Sequence, residues 1–209
     1  DLAGGSLTRT AIYTAAIVWI VGLAVPVTAS YIICAVIAAP ALIKLGVPDF
    51  AAHMFIFYYA VLSEVSPPTA LSPFAAAALT RADPYVTTVQ SWKYAMPAFL
   101  VPFVFVLDPL GTGLLLAPSE AGGWTMVAWV TVAVALAVVA LAAGSQRHFL
   151  RPMSNLEAVL CLAGGLVIIF PDLVDDYLGD AHIGRLAGFL VVAAVLAPQF
   201  LRRRAVATG

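Results

Sequence analysis

The chain has 209 residues, of which 63% are hydrophobic and only 10% are charged, and its mean hydropathy is +1.02. Because a soluble domain carries roughly 25% charged residues, this composition excludes a protein whose whole surface faces water. It predicts an all-α polytopic membrane protein. The net charge of -1 does not discriminate further, since in a membrane protein the placement of charge matters more than its sum.

The first apolar stretch, residues 10–43, is too long for one membrane span and short for two. Pro26 lies near its centre. A proline removes a backbone donor and clashes with the preceding helical turn. The sequence therefore predicts a helix that is broken within VPVTAS, residues 25–30.

The stretch FYYAVLSEVSPPTALSPFAAAALTRADP, residues 57–84, interrupts an apolar run with an acidic residue and a double proline. The apolar arms on either side, residues 50–63 and 69–80, reach only about 18–21 Å, short of the ~30 Å hydrocarbon core. One interpretation is a pair of tilted or buried short helices. The other, which we favour, is a re-entrant hairpin with its tip at SEVSPP. Non-helical backbone at membrane depth must be buried in protein or line an aqueous cavity, so such a tip should touch a site.

Four further apolar stretches are predicted to be membrane spans: residues 85–107, 124–143, 154–171 and 186–201. If the chain crosses the membrane at each of these spans and the hairpin returns to its own side, most basic residues lie on one face of the membrane and most acidic residues on the other. The basic face holds Lys44, Arg81, Lys93, Arg147, Arg151 and Arg202 to Arg204, whereas the opposite face holds Asp108, Glu120, Asp172, Asp175, Asp176, Asp180 and the single basic residue Arg185. Because cytoplasmic loops carry the excess of Lys and Arg, the C-terminus is predicted to be cytoplasmic.

Two segments combine proline with small hydroxyl residues in apolar surroundings, VPVTASY and EVSPPTAL. Proline frees backbone carbonyl groups, and broken helices of this kind coordinate Na⁺ through carbonyls and present half-helix N-termini to anionic groups. The candidate oxygens are the side chains of Thr28, Ser30, Ser66 and Thr69 and the carbonyls from Val65 to Thr69. For each segment alone, hydrogen bonds from Ser and Thr to their own helix are an equal alternative. Two such segments close in sequence favour an ion site.

Glu64 and His53 are the ionisable residues within the hairpin arms, and an ionisable residue inside a membrane is a functional candidate. On one straight helix they would lie about 16 Å apart, so they are not a direct pair. His53 lies close to Asp49, which favours a position at the entrance of the arm. An ionised carboxylate at mid-bilayer costs at least ~2.5–3.5 kcal/mol. Glu64 is therefore predicted to face an aqueous vestibule or the ion site.

Motifs of soluble enzymes are missing from the sequence, which has no phosphate-binding glycine loop, Walker lysine, paired histidines at metal spacing or nucleophile elbow. Cys34 and Cys161 sit in apolar segments without metal-ligand spacing and are predicted to be buried apolar residues. The chain is therefore predicted not to be an enzyme and to need no cofactor. Active transport would have to draw on an ion gradient or on another subunit.

Residues 22–84, from GLAVPVTASYI to SEVSPPTALSPFAAAALTRADP, resemble the C-terminal half of the large membrane subunit of tripartite ATP-independent periplasmic (TRAP) transporters, TAXI type. The resemblance continues through SWKYAMPAFLVPFVFVLDP, is most specific over residues 22–109, and is weak over the last spans. It implies a C-terminal transport repeat at residues 1–109 and additional transmembrane helices at residues 110–209. It also implies an elevator-type permease in which each of two inverted repeats contributes a re-entrant hairpin and a broken helix.

At the level of motifs, VSPPTA is similar to the hairpin-tip signature Thr-Pro-Pro-Val followed by Gly or Ala. GLAVPVTA is similar to the broken-helix motif Gly-x-Gly-x-Pro-Thr-Thr-Ala, but Ala24 and Val27 replace its second Gly and first Thr, so one hydroxyl is lost. The positions that match the tip signature are Ser66, Pro67, Pro68, Thr69 and Ala70. The resemblance implies that Na⁺ is bound by Thr28, Ser66 and the backbone of Val65, Pro67 and Pro68.

The function that the resemblance implies is Na⁺-coupled import of a carboxylate-bearing solute across a bacterial inner membrane. The implied partners are the bilayer, a periplasmic solute-binding protein, and a small membrane subunit or the N-terminal half of the same permease, with no nucleic acid. Because the first repeat's hairpin is absent from this sequence, we expect part of a longer permease or a divergent remnant. The alternatives are another elevator-type ion-coupled symporter and a non-transporting scaffold subunit.

Overall fold

The structure, a computed structural model, describes residues 4–117, 123–171 and 183–207. Within these ranges the chain forms α-helices joined by short loops and 3₁₀ turns, and it contains no β-strand, which confirms the predicted all-α class. The helices are α1 (Leu7–Gly22), α2 (Val27–Lys44), α3 (Asp49–Leu62), α4 (Leu71–Thr80), α5 (Pro84–Ala95), α6 (Val101–Leu107), α7 (Gly123–Gln146), α8 (Asn155–Ile169) and α9 (Ile183–Ala207). The 3₁₀ turns are Ser63–Val65, Met96–Phe99 and Gly111–Leu115.

The chain divides into two compact units, Asp1–Val127 and Ala128–Gly209. The first unit contains α1 to α6 and the second contains most of α7 together with α8 and α9. The division into a transport repeat at residues 1–109 and additional helices at residues 110–209 stays a prediction.

The predicted helix break lies between α1 and α2, at residues 23–26. Pro26 stands four residues after Gly22 and has no N–H to donate to the Gly22 carbonyl, so α1 ends there. The Ser30 hydroxyl then donates to the Val18 carbonyl at 3.5 Å, and the far ends of the two helices, at Gly5 and Lys44, line one groove. The two helices therefore fold back against each other and run antiparallel, a reversal that the sequence pattern did not reveal.

Helix α3 is the centre of the first unit and packs against α1, α2 and α6. Its apolar residues recur on a helical period, and Phe55 and Ile56 are fully buried. Phe55 contacts Phe103 of α6 edge-on at 5.5 Å between ring centroids. The buried residues of this helix are Ala51, Ala52, Phe55, Ile56, Tyr59, Ala60 and Leu62. The arm that leads to the tip is therefore held in a well-packed core.

The two predicted hairpin arms are helices, α3 at Asp49–Leu62 and α4 at Leu71–Thr80, joined by the tip at residues 63–70. The second arm packs along α5 and against the tip rather than along α3. Arg81 ends α4 in a left-handed conformation (φ 57°), and Asp83 caps α5 by accepting the Val86 N–H at 2.9 Å. Whether the arms enter and leave on one side of the membrane remains a prediction.

Residues 85–107, predicted as one membrane span, are not one continuous helix, and whether they cross the membrane stays a prediction. The structure divides this stretch into α5, the turn Met96–Phe99 and the short helix α6. Pro97 lacks the N–H that would continue α5, whereas Pro102 stands in the first turn of α6, where a proline is tolerated. The Tyr59 hydroxyl donates to the Phe99 carbonyl in this interruption.

In the second unit, the predicted spans 124–143, 154–171 and 186–201 correspond to α7, α8 and α9. Ser154 and Glu157 begin α8 with reciprocal side-chain to backbone hydrogen bonds. A Cβ atom at Gly164 would lie 2.8 Å from Val192 of α9, and one at Gly165 would lie 2.8 Å from Leu141 of α7. These glycines let the helices approach closely, as small residues do in membrane bundles. The acidic residues Glu120, Asp172, Asp175, Asp176 and Asp180, and the side chains of Arg202 to Arg204, lie outside the described residues.

Two helices, Val27–Lys44 and Gly123–Gln146, are long and apolar enough to cross a membrane by themselves. By length and composition alone this is weak support for a membrane protein, but the exposed surface agrees with it. Large apolar side chains of α2 are open to the surroundings, with Val36 and Ile37 each 74% exposed. Such continuous exposed apolar surface is rare on soluble proteins.

Candidate ion and solute site

The broken helix and the hairpin tip enclose one cavity of about 300 Å³ in the first unit. One wall is formed by Gly22, the last residue of α1, and by the break at residues 23–26. The other wall is formed by Glu64 and Thr69 of the tip and by Leu71, the first residue of α4. The segments VPVTASY and EVSPPTAL, which the sequence predicted as parts of an ion site, are therefore adjacent and line the same cavity.

The wall formed by the break carries backbone carbonyl groups without backbone donors. In the described part of the chain, no backbone N–H donates to the carbonyls of residues 22–25. The missing donor for Gly22 is the nitrogen of Pro26, and the remaining carbonyls belong to an irregular turn. The end of α1 also carries the partial negative charge of a helix C-terminus. This wall presents oxygen atoms and negative potential, which suit a cation.

The wall formed by the tip repeats this chemistry with two prolines. Pro67 and Pro68 stand four residues after Ser63 and Glu64, where the next helical N–H donors would be. The Ser63 carbonyl instead accepts the Ser66 N–H at 3.0 Å. The Glu64 carbonyl has a proline both three and four residues ahead, so the helix offers it no donor. The Pro67–Pro68 peptide bond is cis.

The Glu64 side chain is half-buried and lines the same cavity. It follows α3, so the carboxylate adds to the negative potential of a second helix end. Carboxylate, carbonyl and hydroxyl oxygens are the ligands that hard cations take in proteins. The arrangement can therefore bind a small cation between the break and the tip.

Gly22 allows the two walls to touch. A Cβ atom at Gly22 would lie 2.5 Å from Ser63 Oγ and 2.7 Å from Ser63 Cβ, distances that no relaxed side chain adopts. Ser63 is fully buried at this contact. This pair was not predicted from the sequence, although a glycine four residues before a proline was a visible signal.

Trp19 lies in α1, about one helical turn before the break, and it connects the tip to α1 and α5. Its indole N–H donates to Ser66 Oγ at 2.9 Å, and the Ser66 hydroxyl donates to the Leu62 carbonyl at 2.9 Å. The indole also stacks on Trp92 of α5 with ring centroids 6.5 Å apart. Ser66 is fully buried and lies outside the cavity lining. Ser and Thr side chains in these segments were expected either to bind an ion or to hydrogen-bond to their own helix. In the structure, the Ser66 hydroxyl makes the second kind of contact, to the Leu62 carbonyl at the end of α3.

The remaining candidates from the sequence fall into different places. Thr69 lines the cavity, whereas Thr28 is exposed on the first turn of α2 and outside the lining. Ser30 is fully buried against α1. Ala70 is buried in a left-handed conformation (φ 25°) where α4 begins. The structure therefore brings Glu64 and Thr69 to the break, while the roles of all these residues in ion binding remain predictions.

His53 lies away from this cavity, near the start of α3. Its Nδ1 is 3.0 Å from the Tyr31 hydroxyl, and its Nε2 is 3.7 Å from a carboxylate oxygen of Asp49, which is largely exposed. These contacts agree with a position at the entrance of the arm.

A second cavity of about 480 Å³ lies between α4 and α5. Its polar lining consists of hydroxyl and amide side chains, and α4 contributes its first turn to it. The polar residues are Ser72, Thr87, Gln90, Ser91 and Tyr94. Such groups can hydrogen-bond a polar solute close to the tip.

Replacing Trp19 by Phe keeps an aromatic ring on Trp92 but removes the donor to Ser66. Because one hydrogen bond contributes about 0.5–1.5 kcal/mol, we expect the Trp19→Phe variant to unfold at a correspondingly lower denaturant concentration. Trp19→Phe and Ser66→Ala should be non-additive, since both remove the same bond. Ser66→Thr, which retains a hydroxyl, is the matched control. Fully additive losses in the double variant would contradict the role of this bond.

Taken together, the apolar composition, the all-helical fold and the two helix breaks around one cavity are features of a polytopic membrane protein of the transporter class. The chain belongs to the family of the DctM component of tripartite ATP-independent periplasmic transporters, whose family model matches residues 2–110. The match includes both walls of the cavity. No curated protein and no solved structure matches the chain.

Membership of this family makes the chain a large permease component of a TRAP transporter. Such a component is a multi-pass protein of the bacterial inner membrane and works in a tripartite system. The family is one of transporters, in keeping with the prediction that the chain is not an enzyme. The TAXI type, the assignment to the C-terminal half and the cytoplasmic C-terminus stay predictions.

Proposed function

We propose that this chain is part of a Na⁺-coupled TRAP permease that imports a carboxylate-bearing solute delivered by a periplasmic binding protein. The observation that carries the proposal is the shared cavity, which is lined by Glu64 and Thr69 of the tip and by residues 22–26, where the carbonyls of residues 22–25 accept no backbone N–H from the described part of the chain. Membership of the DctM family supports transport as the activity. The cation is the coupling ion, and no other cofactor is proposed.

In this proposal the ion binds between the break and the tip and thereby holds the tip against the end of α1. The ligands are the free carbonyls of the break, the Thr69 hydroxyl and the Glu64 carboxylate, all from residues that line the cavity. The family resemblance adds Thr28, Ser66 and the carbonyls of Val65, Pro67 and Pro68. These would join only after a rearrangement, because none of them belongs to the lining and the Ser66 hydroxyl is bonded to Trp19.

The solute would lie next to this ion. Helix α4 begins at Leu71, which lines the ion cavity, and the N-terminal end of a helix favours a negatively charged group. The hydroxyl and amide side chains between α4 and α5 are available for the rest of a polar molecule. An ion that orders the tip also orders the start of α4, which supports coupling of the two binding events.

Counterflow of a labelled organic acid in proteoliposomes tests the proposal, using the complete permease with its small subunit and binding protein. We expect exchange that depends on Na⁺ and is lost when choline replaces it. Exchange that needs another cation would indicate a different ion-coupled symporter of the elevator type. Absence of exchange with every cation and with a panel of organic acids would indicate a non-transporting scaffold subunit.

The proposed topology places the C-terminus and the open ends of both hairpin arms in the cytoplasm. Cysteines introduced at Asp49 and Asp83 should then react with impermeant reagents only from the cytoplasmic side. A cysteine at Pro68, which is exposed at the tip, should not react freely from the periplasm in the inward-facing state. Free periplasmic labelling of position 68 in every transport state would mean that the arms span the membrane.

A further inference from the structure

A cavity of about 1000 Å³ in the first unit is a groove between α1 and α2, and the proposed ion site does not depend on it. Its volume is at the upper end of the roughly 300–1,000 Å³ that ligand sites occupy. The residues that line it are Gly5, Thr10, Tyr13, Thr14, Ala16, Ile17, Ile20, Ile37, Ala38, Ala41, Lys44 and Leu45. Small side chains at Ala38 and Ala41 leave the space open between the two helices.

The lining changes from polar to apolar along the groove. One end holds Lys44, which lies beside the first turns of α1 because the two helices run antiparallel. Arg9 is not in the lining but lies beside this end, because its guanidinium is 3.8 Å from where a Cβ atom of Gly4 would stand, one residue before the lining residue Gly5. Among the described residues, the acidic residue nearest to Lys44 along the chain is Asp49, which is directed toward His53 at 3.7 Å. This end of the groove is therefore basic.

The other end of the groove is apolar and open. Ile17 and Ile20 are 55% and 58% exposed, and Ile37 of the facing helix is 74% exposed. From Gly5 to Ile20 the groove extends about 22 Å along α1, whereas one leaflet of the ~30 Å hydrocarbon core is about 15 Å thick. The groove can therefore contain an acyl chain along its full length in one leaflet.

We propose that this groove binds an anionic phospholipid, with its phosphate at Lys44 and Arg9 and an acyl chain between α1 and α2. Charge complementarity identifies the occupant, because a basic end joined to an apolar trough matches a negative headgroup joined to a hydrocarbon chain. A protein helix that covered the groove would gain nothing from two cations at one end unless it carried acidic residues there. The lipid would brace α1 and α2, whose other ends form the break.

Native mass spectrometry of the delipidated permease, titrated with phosphatidylglycerol or phosphatidylcholine, tests the proposal. We expect preferential binding of phosphatidylglycerol. Lys44→Gln and Arg9→Gln should each weaken that binding about fivefold, since one basic residue contributes about 1 kcal/mol to anionic-lipid binding. Binding of phosphatidylcholine should stay unchanged. Lys93→Gln on α5, outside the groove, is the charge-matched control and should leave both lipids unaffected.

Filling the groove is the second arm of the experiment. Ala41→Trp should reduce binding of both lipids, because it removes space for the acyl chain and leaves both cations in place. A photoactivatable phosphatidylglycerol should label the groove in the parent protein and label it less in Ala41→Trp. Equal binding of the two lipids by the parent, or cross-linking of a cysteine at position 41 to another protein segment instead of to lipid, would overturn the proposal. The readout is lipid binding, so failure here leaves Na⁺-coupled transport untouched.

Discussion

Gly22→Ala should destabilise the first unit by about 1–3 kcal/mol, the usual cost of inserting a methylene into a packed site, and should abolish most Na⁺-dependent uptake. The added Cβ would lie 2.7 Å from Ser63 Cβ, whereas ordinary contacts begin at 3.4 Å, so the break and the tip must separate by more than half an ångström. A binding site tolerates only about 0.5 Å of such displacement. Thermal unfolding and initial uptake rates in proteoliposomes would measure the two effects.

The double variant Gly22→Ala, Ser63→Gly is the control for this prediction. Removing the Ser63 side chain eliminates the atoms that the new methyl group would meet, so uptake should recover in large part. If Gly22→Ala retains parental stability and uptake, the two walls are not in the close contact that the structure shows. If the double variant is no better than Gly22→Ala, the effect of the methyl group arises elsewhere.

Glu64→Gln should weaken apparent Na⁺ affinity about 5- to 150-fold with little loss of folded protein. The substitution keeps the shape of the side chain but removes its charge from the cavity. At about 4 Å and an effective dielectric constant of 20, a carboxylate and a cation attract by about 4 kcal/mol, and exposed pairs are worth at most about 1 kcal/mol. For the half-buried Glu64 carboxylate we take an attraction to the cation of about 1–3 kcal/mol. At 1.4 kcal/mol per tenfold change in affinity, this attraction corresponds to the expected 5- to 150-fold loss of apparent Na⁺ affinity.

The Na⁺ dependence of uptake in proteoliposomes measures this effect. Asp49→Asn, which removes an exposed carboxylate at the far end of the same helix, is the matched control and should keep the parental Na⁺ dependence. Thr28→Val should have a smaller effect than Glu64→Gln, because Thr28 lies outside the cavity lining. Parental Na⁺ activation in a folded Glu64→Gln or Glu64→Leu protein would remove Glu64 from the site.

The features that sequence predicted well are those that depend on local backbone chemistry. Pro26 ends α1 and the pair Pro67-Pro68 ends α3, because each proline removes the N–H that the helix needs next. Hence the break, the tip and the two arms were all predicted within a few residues of their observed bounds. The same argument applied to Pro97 would have divided the stretch 85–107, which was instead predicted as one span.

The features that sequence did not predict depend on contacts between distant segments. The bond from Trp19 to Ser66 joins residues 47 positions apart, and the contact of Gly22 with Ser63 joins residues 41 positions apart. Nothing in either segment indicates its partner, because hydrophobic periodicity identifies buried faces and not what they meet. Ser66 shows the consequence: its hydroxyl was a candidate ion ligand, a role that stays a prediction, and its bond from Trp19 could not be foreseen from either segment.

The central claim is that the break and the tip form one Na⁺ site, and protection of a single cysteine tests it without knowledge of the solute. Ala24 is exposed and lines the cavity, and the native Cys34 and Cys161 are buried. A cysteine at position 24 should react with a small thiol reagent more slowly in Na⁺ than in choline, and Glu64→Gln should remove that protection. A cysteine at Ala82, which is exposed in the loop between α4 and α5 and lies outside the cavity lining, should react equally in both. Equal reactivity of position 24 in Na⁺ and choline would contradict the account.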